Sequence, residues 1–411
     1  MHMMLTALAV VGTLGLVTAV RAEPITIDQA LDRASRRPSI QMAALDIEAA
    51  RARSRGAALP LYNPELSGGG GPQFGAGAPL PQFQVGLSQT IELGGKRDAR
   101  VQVADSLARG AEISERGELL RARVETWRAF ERALVLRDRL ETRREVEKLA
   151  LSLATAMQKS ASAGGATKLR VNLVVADAGR ATQERVTSEA EYASARTALA
   201  LAIGAGANEQ LEPVGDGADL PALSTSSDEL VARAFREHPA AIASDNGVAV
   251  ATARIADADA RGRPDVTLGL SYEYVPDPEG PHAVLGTLVI PIPLRNRNQG
   301  ERAAARIDAH RTEIERAYVR VEIDQNVRLA VENYQRAREA VAGFDRGVME
   351  KLNENLAAAQ DAFANGGLDF VELVTIQRDL IASRLAFLDA RLALVDAWAQ
   401  LALVSGMEVK S

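Results

Sequence analysis

The chain has 411 residues, a net charge of −6, 25% charged residues and no cysteine. Lack of thiols excludes disulfides, metal sites built on thiolates and lipidation at an N-terminal cysteine, and interleaved charges of both signs give no surface for nucleic acid. Aromatic residues are only 4% of the chain, while alanine and arginine fill long stretches, which suits long helices with narrow apolar seams better than a thick globular core.

In chain order, Met1 to Ala22 reads as a secretory signal. Its apolar run, Leu5 to Val20, is short for a spanning helix and precedes Val20-Arg21-Ala22, the small-residue form of a signal-peptidase site. Residues 23–205 form a first unit: a helical pattern over Ile27 to Leu59, a strand pair over 62–93, and helical sequence from Lys96 to Ala161 that spans roughly 100 Å at 1.5 Å per residue. Val124, Trp127, Phe130, Leu134 and Val135 have the three-and-four spacing of a seam, so this helix needs a partner along its length. Gly164-Gly165 breaks the pattern, a tip is expected at 163–167, and Ala166 to Ile203 returns antiparallel.

Residues 206–226, rich in Gly, Pro and Ser, read as an irregular connector. The second unit, 227–406, repeats the plan: a helix, a strand pair over 263–293, a long helix from Gly300, a break at Asn365-Gly366-Gly367 with its tip at 365–369, and a return over Leu368 to Val404. Residues 407–411 form a tail. Asn63-Pro64-Glu65-Leu66-Ser67 returns as Arg263-Pro264-Asp265-Val266-Thr267, 200 residues on. Self-similarity at this period marks a duplicated unit.

The strands alternate. Phe83, Val85, Leu87, Ile91 and Leu93 are separated by Gln82, Gln84, Ser88, Thr90 and Glu92, and Val266, Leu268, Leu270, Tyr272 and Tyr274 oppose Asp265, Thr267, Ser271 and Glu273. Period two is the strand signature, and segments of about ten alternating residues with aromatics near their ends also mark a transmembrane β-barrel; an amphipathic hairpin on a soluble sheet fits the alternation too. In lipid, four strands would leave two open edges whose unpaired backbone groups cost several kcal/mol each, so the sheet must close across chains. Eight strands from two copies or twelve from three both satisfy that demand.

Enzyme chemistry has no foothold. Gly94-Gly95-Lys96-Arg97 mimics a phosphate loop, but Thr90 and Arg97 occupy its first glycine and its hydroxyl positions. The glycine run Gly68 to Gly71 lacks the spacing of a dinucleotide loop, and His2, His238, His282 and His310 include no close pair for a metal or a nucleophile. No cofactor and no protein-bound metal is expected.

The run Phe83-Gln84-Val85-Gly86-Leu87-Ser88-Gln89-Thr90-Ile91-Glu92-Leu93-Gly94-Gly95-Lys96-Arg97, its counterpart Ile290 to Gly300 and the two glycine tips resemble TolC-type outer-membrane factors. The Ile-Glu-Leu-Gly-Gly-Lys-Arg stretch, with Val171-Asn172-Leu173 and Gly179-Arg180-Ala181, is most similar to the branch serving cobalt-zinc-cadmium efflux pumps. The resemblance implies a mixed α/β membrane protein: a homotrimer whose twelve strands form an outer-membrane barrel, continuing into a periplasmic α-helical coiled-coil tunnel. It implies a passive exit duct for a tripartite system, with a periplasmic adaptor and an inner-membrane resistance-nodulation-division pump as partners and heavy-metal cations as cargo. Multidrug efflux, type I protein secretion or a soluble periplasmic scaffold are the alternatives. In the family the adaptor meets the tips, which carries over to Gly164, Gly165, Ala166 and Thr167 and to Gly366, Gly367, Leu368 and Asp369. Glu372 occupies the place of an acid that rings the pore, and Thr375 falls where a second acid is frequent; outside the family Glu372 would be an exposed helix residue. The lipid-facing set is Phe83, Val85, Leu87, Val266, Leu268, Leu270 and Tyr272.

Overall fold

A computed structural model describes residues 23–74, 79–206, 209–274, 282–344 and 346–409; the signal sequence expected over Met1 to Ala22 and the last two residues of the tail lie outside them. The elements run β1 (Glu23–Ile25), α1 (Ile27–Ala34), α2 (Pro38–Ala57), β2 (Glu65–Gln73), β3 (Leu80–Ile91), α3 (Lys96–Ser162) and α4 (Lys168–Ala202). After β4 (Leu211–Pro213) come α5 (Ser227–Glu237), α6 (Pro239–Arg261), β5 (Val266–Tyr274), β6 (His282–Val289), α7 (Gln299–Ala342), α8 (Arg346–Ala364) and α9 (Phe370–Ser405).

The single helix expected over 27–59 is two. Pro38 occupies the first turn of α2, where its missing N–H costs nothing, and the extended residue before it ends the preceding helical run. Pro239 does the same between α5 and α6. Both short helices open on a capping box, Thr26 with Gln29 and Ser226 with Glu229, in which side chain and backbone satisfy each other's donors. The repeat therefore reaches into the caps, 200 residues apart.

The connector is not wholly irregular. β4 lies within it and pairs in parallel with β1, from Glu23 opposite Leu211 to Ile25 opposite Pro213. Three-residue strands are too short to show a period, which is why the sequence concealed them.

β2, β3, β5 and β6 form one antiparallel sheet in that order. Below it the helices follow the same order, with α2 packed on α3, α3 on α6 and α6 on α7; further from the sheet α4 packs on α3, α3 on α9 and α9 on α7 and α8. A single layer of this kind exposes both faces. The largest clusters therefore sit in a belt where α1, β1, β4 and α5 pack against the long helices, and a smaller alanine-rich seam, Ala150, Ala154, Val174, Ala178 and Ala181, joins α3 to α4 nearer the first tip. In the belt Val124, Trp127, Phe130, Leu134 and Val135 are all buried, Phe130 and Leu134 against Ile25, Leu199 and Leu211, and Tyr334 donates its hydroxyl to the Pro221 carbonyl at 2.6 Å. Glu131, also buried, accepts the Ala218 N–H at 2.9 Å; burial raises its pKa against the opposing pull of Arg391.

Candidate functional site: a conduit wall and its two ends

Directly opposed residues of an antiparallel pair share a face. The register sets Phe83 opposite Tyr274, Val85 opposite Tyr272, Leu87 opposite Leu270 and Ile91 opposite Val266, so Phe83, Val85, Leu87, Val266, Leu268, Leu270 and Tyr272 lie on one face. Leu66 joins them from β2, and Val284 and Leu288 from β6. Gln84, Ser88, Thr90, Thr267, Ser271, Glu273 and Thr287 line the other, where the Thr90 and Thr267 hydroxyls meet at 2.8 Å. The division is imperfect: Gln89 falls on the apolar face, and Leu285 and Val289 fall on the polar one. Four rings cluster at the end of the sheet away from the helices, with Phe83 stacked 5.2 Å from Tyr274 and His282 5.4 Å from Tyr274 and 5.8 Å from Tyr272. A band of aromatic rings at the end of alternating strands is the girdle found at a membrane interface.

The Ile-Glu-Leu-Gly-Gly-Lys-Arg stretch makes the joint between sheet and tunnel. Gly95 is left-handed (φ 76°) and turns the chain from β3 into α3; Asn298 (φ 59°) turns it from β6 into α7. Asp265, at the foot of β5, accepts the Leu93 N–H at 3.1 Å and pairs with Lys96 Nζ at 2.7 Å. Glu92 is gripped by Arg100 at 2.6 and 3.1 Å and accepts the Leu61 N–H; the Arg100 hydrogen bond holds its carboxyl below the ordinary range. The same guanidinium reaches the Ala57 and Leu59 carbonyls. One motif thus ties β3, β5, the end of α2 and the turn leading into β2 together.

The two hairpin tips share one geometry. Gly164 (φ 82°) and Gly366 (φ 75°) take the left-handed conformation that closes a helix C-terminus, and the N–H groups of Gly165 and Gly367 donate back to Ser160 and Ala362 at 2.8 Å each. Two residues on, Thr167 and Asp369 cap the returning helices. Ala166 and Leu368 are half-buried beside them, and the glycines stand exposed. Glu372 is exposed and bonds locally, its carboxylate accepting the Asp369 N–H at 3.0 Å while Asp369 accepts the Glu372 N–H at 2.8 Å. The first tip carries Arg170 at the matching position.

Sequence reasoning missed how the two hairpins are joined. Arg128 and Arg132 grip Asp396, Arg139 grips Asp389, Arg384 grips Glu145 and Arg378 grips Asp177, all at 2.5–2.9 Å, so ion pairs climb from the belt toward the tips along the seam of α9 with α3 and α4. The interleaved charges were visible, but their partners lie more than 200 residues away. Among the described residues no helix is long and apolar enough to cross a membrane, and no group of three acidic or imidazole side chains could hold a metal. His238 caps α6, His282 belongs to the ring cluster and His310 faces Glu313.

A family model described as outer membrane efflux protein matches residues 27–205 and 230–407, the two repeat units almost in full. The chain belongs to the outer membrane efflux protein family. It is 25% identical over 301 residues, 72% of this chain and 71% of the relative, to the cobalt-zinc-cadmium resistance protein CzcC of Cupriavidus metallidurans. The fold of this efflux protein is that of a membrane protein from Pseudomonas aeruginosa (TM-score 0.77, 20% identity, 94% and 92% of the two chains) and of CusC (TM-score 0.73, 19% identity, 92% and 91%). As a member of the family it is an outer-membrane efflux channel with its helical tunnel in the periplasm.

Proposed function

We propose that three copies of this chain close into one duct, twelve strands above and a helical tunnel below, through which heavy-metal cations driven by a resistance-nodulation-division pump leave the periplasm passively. The observation that carries this reading is the matched pair of open edges. β2 and β6 end the sheet, and α2 and α7 end the helical layer beneath it. On α7, Ile307, Ile314, Tyr318, Val321 and Leu329 form a stripe in which each side chain is more than half exposed, and Met42 and Leu45 stand equally bare on α2. An apolar stripe at this spacing asks for a neighbouring helix. A second copy placed edge to edge meets both needs at once, and repeated head to tail the contact closes a ring.

The metal reading leans on the likeness to CzcC. Duct and substrate separate experimentally: the duct reading expects recovery with outer membranes, extraction only by detergent and a mass of three chains by light scattering, and a soluble periplasmic monomer would end it. The cargo is tested by deleting the gene and measuring tolerance to cobalt, zinc, cadmium, nickel, copper and silver beside a panel of drugs and dyes. Sensitivity to drugs alone would replace metal with multidrug efflux. The tips, Gly164 to Thr167 and Gly366 to Asp369, are the proposed adaptor contacts: the exposed glycine pair at each hairpin end admits another hairpin backbone to backbone.

A further inference from the structure

The joint at Asp265 is formed inside one chain because β5 lies beside β3, yet its residues exist twice. Ser67 lies opposite Gly86 and Thr267 opposite Val289. Since Ser67 and Thr267 are equivalent in the repeat, β3 and β6 correspond at an offset of 203. The left-handed helix caps Gly95 and Asn298 keep that offset, so Leu93 corresponds to Asn296 and Lys96 to Gln299.

Glu65 is the repeat equivalent of Asp265, but its strand β2 is a free edge. Within the chain Glu65 pairs with Ser88 of β3 through its backbone, but it is exposed and its side chain makes no hydrogen bond or ion pair among the described residues. At the opposite edge, the turn after β6 presents the Asn296 N–H without an acceptor among the described residues, flanked by the exposed Arg295 and Arg297, neither of which is in an ion pair there. Gln299, at the lysine position, is spent on its own turn: it accepts the Arg297 N–H at 2.8 Å and donates to the Arg295 carbonyl at 3.1 Å. Where the in-chain joint has Lys96, this turn offers the guanidinium groups of Arg295 and Arg297, the latter also donating from Nε to the Pro293 carbonyl at 3.1 Å.

We propose that the sheet–tunnel joint is made a second time between copies: Glu65 of one copy accepts the Asn296 N–H of the next and pairs with the guanidinium groups flanking it. The proposal rests on the trimer reading and specifies which residues form its seam. It fixes the register of β2 against β6 of the neighbour as the register of β5 on β3 is fixed within the chain, so Leu66 meets Leu294 as Val266 meets Ile91. Barrel closure then depends on a charge-assisted hydrogen bond as well as on edge pairing.

The natural absence of cysteine makes the test direct. The full-length double variant Glu65→Cys with Asn296→Cys, purified in detergent and oxidised, should give covalent ladders of two and three chains after heating in SDS, and neither single variant should. Leu93→Cys with Asp265→Cys serves as the in-chain control, losing both free thiols without any gain in mass. A protein of three-chain mass whose Glu65–Asn296 pair stays unlinked while the control closes would overturn the proposed contact and leave the trimer standing; a native single-chain mass would remove both. Independently, Glu65→Arg should lower the temperature at which the native complex dissociates, and adding Arg295→Glu and Arg297→Glu should restore it. An unchanged dissociation temperature in Glu65→Arg would also overturn the contact.

Discussion

His238 shows how much one side chain at a repeat junction decides. It follows the last residue of α5 and caps α6, its Nδ1 accepting the Ala240 N–H at 3.1 Å while Nε2 lies 3.0 Å from the Leu403 carbonyl of α9. Both bonds are made by the neutral tautomer with its proton on Nε2, and burial lowers the ring's pKa against the opposing Leu403 bond. Between the folded pKa and the unfolded value of about 6.5, the unfolded chain binds more protons, so stability rises with pH and is lost as pH falls through that window, by at most about 1.4 kcal/mol per unit. The charged groups lining the same cavity are Arg121 and Glu322. Asn in place of His238 keeps an acceptor for the cap and cannot titrate. Thermal unfolding at pH 5 and pH 8 should therefore show a smaller gap for His238→Asn than for the native chain; an equal gap would assign the pH effect elsewhere. The sequence offered this histidine only as an unpaired one, since Leu403 is 165 residues distant.

At the scale of elements, the acid expected at the pore, Glu372, is also half of a reciprocal helix cap at the second tip. Asp369→Ala removes the cap of α9 and should cost about 1 kcal/mol. Glu372→Gln keeps the reciprocal cap, which glutamine also serves, and deletes one charge per copy. Single-channel recordings should then show reduced cation preference with unchanged melting if Glu372 acts on permeating ions, because a ring of carboxylates attracts cations. Unchanged selectivity would leave Glu372 with the cap alone. The glycines of both tips are legible as turns because left-handed backbone selects glycine, and the reciprocal cap is written locally in Asp369-x-x-Glu372. The ion pairs joining the hairpins were beyond reach: a sequence shows charges, and only the approach of α9 to α3 and α4 pairs them.

For the whole molecule, the two faces of the sheet set opposite tolerances. Leu270→Arg, on the apolar face in mid-strand, should lower barrel stability by about 2–4 kcal/mol and reduce the folded protein recovered in outer membranes. Thr267→Arg, on the polar face, should be recovered at native yield while changing conductance. Equal loss from both substitutions would contradict an apolar face turned to lipid. Along β5 exposure follows the faces, with Leu268, Leu270 and Tyr272 exposed and Thr267, Ser271 and Glu273 half-buried; along β6 every residue is exposed, and register assigns the faces there.

The amino-acid sequence by itself determined the duplication, the period-two strands, the long helices and the glycine turns, because each is a local property: a period, a backbone conformation or a break in a pattern. It also carried the open edges as a count, four strands that cannot close. Tertiary structure alone decided which strands adjoin, that β1 and β4 pair across the belt, that the Ile-Glu-Leu-Gly-Gly-Lys-Arg stretch locks sheet to tunnel through Asp265, and that β6 follows β3 at 203 residues while β5 follows β2 at 200. These depend on contacts between segments far apart in the chain, and contact energy is a property of pairs that no single segment contains.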